Sequence, residues 1–134
     1  MDLRLYHNSH EFYYRSSFGA VPSGSRLILR LRASGSDAQN CRARIRLWQI
    51  NVGESFVPMS YEDGIFTGIV TIPPKGCLLW YYFIIDDGHR TFYYGNNYDR
   101  LGGEGAKYPD VPPAYQVTVY DKDAHTPDWF KHAR

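Results

Sequence analysis

The sequence predicts an all-β fold, an immunoglobulin-like antiparallel β-sandwich of seven to eight strands. Three observations carry that expectation. Apolar and polar residues alternate with a period of two, turn signals recur at short spacing, and no segment shows a helical stripe. The chain has 134 residues, the size of one domain. A domain of that length buries roughly two-thirds of its unfolded surface and needs no metal or disulfide to fold.

The elements follow in chain order. A short strand is expected near Phe12–Arg15. In Arg26–Arg32, Leu27, Leu29 and Leu31 point one way, while Arg26, Arg30 and Arg32 point the other. Arg42–Gln49 repeats the pattern, with Ala43, Ile45 and Leu47 inward and Arg44, Arg46 and Trp48 outward. Another short strand is expected near Phe56–Ser60, then Ile65–Ile72, rich in β-branched residues. Cys77–Ile85 is apolar on both faces, as a central strand would be. Thr91–Tyr94 and Tyr115–Tyr120 complete the set. Pro22-Ser23-Gly24, Ser34-Gly35-Ser36, Glu62-Asp63-Gly64, Pro73-Pro74-Lys75-Gly76 and Asp86-Asp87-Gly88 supply the turns. Tyr98–Pro113 is expected as one long irregular loop, and Pro127 as the start of a short helix.

Composition narrows the function classes. The formal net charge is +1, so no global field collects nucleic acid or membrane. The charge is uneven: residues 1–46 carry eight Arg against three acids, and the rest carries seven Lys or Arg against eleven acids. Arg26, Arg30, Arg32, Arg42, Arg44 and Arg46 are expected to form one arginine face, either a solvated sheet surface or a groove for anions. No apolar run reaches the length of a membrane span. The N-terminus has no apolar stretch of signal-peptide length. The expected location is cytoplasmic, or secreted if a leader has been removed. Cys41 and Cys77 lack CxxC spacing, which leaves two readings open, free thiols or a cross-strand pair if the chain is secreted.

Catalytic and metal signals are weak. The acids sit mostly at turns, where Asp is a default residue, and no nucleophile–base pair can be named. His7 and His10 lack a third ligand and are expected as polar residues of an N-terminal arm. No Asp or Asn run has the ligand spacing of a calcium loop. No cofactor and no metal site is therefore expected, with calcium binding alone left open. Leu101–Gly105 has neither the Lys-Ser/Thr nor the strand-to-helix context of a phosphate loop.

Aromatic content is the unusual figure: twelve Tyr, seven Phe and three Trp. Each buried Tyr hydroxyl needs a partner, so part of this surplus is expected at the surface. Trp48 is in phase with the arginines, and Tyr93, Tyr94 and Tyr98 cluster before the glycine loop. Tyr81 and Phe83, on the Trp80–Phe83 stretch, are read as core. Exposed rings of this kind suit a sugar, whose C–H face stacks while its hydroxyls bond nearby polar groups. They equally suit a protein interface. For Trp48, ligand platform, domain contact and burial stay open.

Tyr6-His7-Asn8-Ser9-His10 and Tyr14 to Pro22 resemble the start of the N-terminal domain that precedes many bacterial alpha-amylase-family enzymes, such as neopullulanases, maltogenic amylases and cyclomaltodextrinases. Trp80 to Ile85, Tyr94-Gly95-Asn96-Asn97, Gly102 to Gly105 and Tyr115 to Asp121 fit the same pattern, and Thr126 to Lys131 resembles a linker into the catalytic barrel. The resemblance implies an immunoglobulin-like accessory domain over residues 1–121, of starch-binding-module type, and a linker over 122–134 towards a barrel this chain lacks. It implies no catalysis by this chain. The partners it implies are α-glucan or malto-oligosaccharide, the parent enzyme's barrel, and a homodimer in the full-length protein. The expected sugar-binding residues are Trp48, Tyr93, Tyr94, Asn96, Asn97, Tyr98 and Asp99. The rival expectation is a structural domain that packs on the barrel or mediates dimerisation and binds no sugar.

Overall fold

The computed structural model describes residues 3–16, 20–35, 38–96 and 104–120. Eleven strands run through them: β1 (Arg4–Tyr6), β2 (Ala20–Pro22), β3 (Arg26–Ser34), β4 (Arg42–Gln49), β5 (Gly53–Pro58), β6 (Ser60–Glu62), β7 (Ile65–Thr71), β8 (Cys77–Asp86), β9 (Thr91–Gly95), β10 (Ala106–Tyr108) and β11 (Tyr115–Tyr120). Apart from a single 3₁₀ turn at Ala38–Asn40, no helix occurs among the described residues.

The strands form two sheets. The smaller has the order β1-β3-β7-β6. In the larger, β5 pairs with β4 and β4 with Leu79–Asp86 of β8. The far side of β8 is shared: β11 pairs with Cys77–Tyr81, and β9 with Phe83–Asp86. β10 extends β9, and β2 extends β11. All pairings are antiparallel except β2 with β11, which is parallel. The sandwich is thus mixed at that edge.

The expected alternation sets the core. Leu27, Leu29 and Leu31 face inward from β3, Phe66 and Val70 from β7, and Ile45 from β4. Leu79, Tyr81, Phe83 and Ile85 meet them from β8, with Val117 and Val119 from β11. The two sheets come close where β7 carries Gly68. A Cβ there would lie 2.5 Å from the Ile45 side chain.

Several expectations are corrected. Phe12–Arg15 is a turn whose end bridges to β3 at Arg15↔Leu29. The single strand expected near Phe56–Ser60 is two strands, because the chain leaves the large sheet after Pro58 and joins the small one at Ser60. β10 lies inside the stretch expected to be irregular. The arginines do not share one face. Those of β3 lie outside the small sheet and those of β4 outside the large one, so they stand on opposite surfaces of the sandwich. Both cysteines are free thiols. The helix expected at Pro127 and the linker at 122–134 lie outside the described residues.

Candidate functional site

The outer face of the large sheet carries the exposed-phase rings. The turn between β4 and β5 passes through Asn51, whose positive φ of 66° Asn tolerates well. That turn fixes a register in which Trp48 lies opposite Glu54 and Arg46 opposite Phe56. On the other side of β4, Trp48 lies opposite Trp80 and Arg46 opposite Tyr82. Strand partners share a face, so the two indoles stand side by side. Trp48 is 40% exposed, and Trp80 is half-buried.

Together with Arg46 and Ala114, the two tryptophans line a shallow depression of about 450 Å³. Arg46 is held tightly. Its guanidinium carbon lies 5.5 Å from the Trp48 ring centroid and 5.2 Å from that of Tyr82. Its Nε donates to Glu54 Oε2 at 2.6 Å. Tyr82 in turn meets Tyr93 edge to face, with centroids 5.9 Å apart. Trp48, Arg46, Tyr82 and Tyr93 therefore form one continuous row across β4, β8 and β9. Burial raises the Tyr82 phenol pKa, so the ring stays neutral at ordinary pH.

Ala114 is positioned by the segment singled out in the sequence. Asn96 N–H donates to the Pro113 carbonyl at 2.9 Å, and its Nδ2 donates to Ala114 O at 3.3 Å. Gly95 makes this junction possible. A Cβ there would lie 2.5 Å from Pro113 O and 2.6 Å from Pro112.

The expected site residues thus divide. Trp48 and Tyr93 are on the outer face. Tyr94 is not a stacking surface: it is only 2% exposed and faces the core between the sheets. Its hydroxyl donates to His7 O at 3.1 Å and accepts from the N–H groups of His7 and Gly105. Burial raises its pKa to about 12. Asn96 is also buried, with its carbonyl accepting from Tyr108 Oη at 2.6 Å, so it shapes the wall of the depression from within. Asn97, Tyr98 and Asp99 lie outside the described residues. Trp80, expected within a core strand, is on the site face. Its in-phase relation to Trp48 needed the β4–β8 register.

A second hollow, of about 480 Å³, lies between β9 and β10 and includes Arg90, Phe92, Lys107 and Tyr108. Three of its polar side chains make contacts within the fold. Lys107 donates to Leu3 O at 3.2 Å, Arg90 pairs with Asp87 at 3.7 Å, and Tyr108 bonds Asn96. Among the described residues no group of three or more His, Cys, Asp or Glu converges as metal ligands. His7, expected in a polar arm, is fully buried in the core.

No family model matches the chain. It is similar to amylopullulanases of three bacteria. It is 37% identical over 96% of its length to a segment of the Thermoanaerobacterium thermosulfurigenes protein, and matches that of Thermoanaerobacterium saccharolyticum equally well. It is 36% identical over 97% of its length to the Thermoanaerobacter thermohydrosulfuricus protein. The chain spans between 7% and 10% of these relatives' own length.

Proposed function

We propose that this chain, being homologous to a small segment of amylopullulanases, is a non-catalytic accessory domain of an α-glucan-hydrolysing enzyme that binds starch or malto-oligosaccharide. On this reading, hydrolysis belongs to the remainder of the enzyme, and this domain holds the polymer. The observation that carries it is the pairing of Trp48 with Trp80 beside the Arg46–Glu54 pair. Two adjacent indole faces offer apolar surface to successive sugar rings, and the arginine offers donors to their hydroxyls. Tyr93 continues the row and would contact a longer chain.

Titrating the domain with maltoheptaose while following amide chemical shifts tests this. Shifts are expected around Trp48, Trp80 and Ala114. Trp48→Ala and Trp80→Ala are each expected to weaken binding by about 2 kcal/mol. Absence of shifts at millimolar sugar would overturn the reading.

A structural role is favoured by a different surface. Phe12, Tyr13 and Ile69 are exposed apolar residues, Ile69 on the outer face of the small sheet. These suit packing on the rest of the enzyme, and the two roles use different faces.

A further inference from the structure

We propose that Arg46 is the hydroxyl-reading residue of the Trp48–Trp80 depression, gripping the vicinal 2- and 3-hydroxyls of one glucose unit in its guanidinium fork. Glu54 is the positioning residue that holds the fork. This rests on the reading that the depression binds an α-glucan.

The argument begins with what Arg46 does within the fold. A guanidinium has five N–H donors in one plane. One of them, on Nε, is engaged by Glu54. The four on the two terminal nitrogens make no hydrogen bond among the described residues. Rings on neighbouring positions flank the group, Trp48 at 5.5 Å and Tyr82 at 5.2 Å. The side chain is therefore only 20% exposed, yet it lines the depression.

Arginines on an open sheet face turn their terminal donors to water, and few are fixed in place. This one is held at its back and sides, and its terminal edge is unengaged. A planar fork fixed in that way matches two neighbouring oxygen acceptors, and it loses little rotamer freedom when they arrive. The ligand on the tryptophans is neutral, so the acceptors are hydroxyls. In an α-1,4-linked glucan the free neighbouring pair on each unit is the 2,3-diol. The 6-hydroxyl stands on an exocyclic carbon with no free hydroxyl beside it.

Glu54 orients the fork by taking its Nε. Because Glu54 is also the strand partner of Trp48, the carboxylate, the fork and the indole are set by one stretch of ladder. Replacing Glu54 leaves the donors present but lets them turn.

Isothermal titration with cyclic glucans tests this on the intact chain. The probes are β-cyclodextrin, its 2,3-di-O-methyl form and its 6-O-methyl form. The unmodified protein should lose about tenfold or more in affinity on 2,3-methylation, the scale of a charged hydrogen bond, and far less on 6-methylation. Arg46→Met should bind β-cyclodextrin about tenfold or more weakly and no longer discriminate between the two methylated forms. Arg46→Lys should recover part of the affinity without restoring the 2,3 preference, because an ammonium has no fork. Glu54→Gln should weaken binding and blunt the preference at unchanged melting temperature.

Equal sensitivity of the unmodified protein to both methylations would overturn the assignment without any variant. So would an Arg46→Met protein that discriminates as well as the parent. Failure of the glucan reading looks different: Trp48→Ala would then bind β-cyclodextrin as tightly as the parent. Loss of binding in Trp48→Ala, with unchanged discrimination in Arg46→Met, would sink the arginine assignment alone.

Discussion

His7 is a histidine held neutral by its surroundings. It is fully buried, with the rings of Tyr14, Tyr81, Phe83 and Tyr115 around it. A carbonyl can only accept, so Nδ1 donates to Arg30 O at 2.7 Å, and Nε2 accepts from Tyr81 Oη at 2.9 Å. Burial is the main cause that lowers its pKa to about 3, and the nearby Arg15 cation lowers it further against the Arg30 carbonyl. Arg15 also bonds the Tyr81 hydroxyl and donates to Gln116 O at 3.1 Å. In the unfolded chain His7 takes a proton near pH 6.5, whereas in the folded chain it does so only near 3. Between those values the unfolded state binds more protons, so stability falls as pH is lowered through that window. Denaturant unfolding across it should show this slope, and His7→Phe should flatten it. The variant should also cost about 1–3 kcal/mol at neutral pH, because Tyr81 and the Arg30 carbonyl lose a partner. None of this was legible in the sequence, where His7 read as a polar residue near the terminus. Apart from Tyr14, the residues that bury it come from β3, β8 and β11, distant in the chain.

The site depends at the element scale on how strands meet rather than on any one side chain. β8 is the central strand its continuous apolar run announced, but the run hid a division. Leu79, Tyr81, Phe83 and Ile85 face the core, whereas Trp80 and Tyr82 face outward beside Trp48 and Arg46. The second device is the junction of β9 and β11 on one side of β8. Gly95 is required there because Pro112 and Pro113 occupy the space a Cβ would take. Gly95→Ala should therefore separate the two strands and cost about 1–3 kcal/mol, as overpacking does. It should also weaken maltoheptaose binding by moving Ala114, the residue that Asn96 ties to this junction. A melting curve and a sugar titration on the same variant check both. The sequence marked this stretch as important, but it offered Tyr94 and Asn96 as direct contacts. Folding turns both inward, where their hydrogen bonds hold the junction and the N-terminal segment.

For the whole molecule, the two sheets divide the arginines and the aromatics into two stacked sets. On the small sheet Arg30 lies 4.6 Å from the Tyr13 centroid, and Arg32 lies 4.9 Å from that of Tyr6. On the large sheet Arg44 lies 5.3 Å from the Phe56 centroid, beside the Arg46 cluster. Much of the tyrosine surplus thus flanks guanidinium groups or fills the core, where Tyr81 and Tyr115 stack at 5.0 Å. Among the described residues no single basic groove results, which argues against their binding a polyanion. Because the small-sheet set lies on the surface opposite the depression, Arg26→Gln with Arg32→Gln should leave maltoheptaose affinity unchanged. A titration that showed weakened binding in this folded double variant would mean the sugar reaches another face.

The sequence by itself determined which residues of each long strand face in or out, because that alternation is a local property of the pleated backbone. It therefore specified the all-β class, the leucine core of β3 and the outward phase of Trp48. Only the tertiary structure decided which strand lies beside which, and in what register. A slip of one residue would turn every side chain over and is excluded by burial, but a slip of two residues keeps the phase intact. The pattern alone is therefore silent about whether Trp48 meets Trp80 or a neighbour two positions away. That choice rests on the packing of core residues far apart in the chain, and it places the two tryptophans next to Arg46.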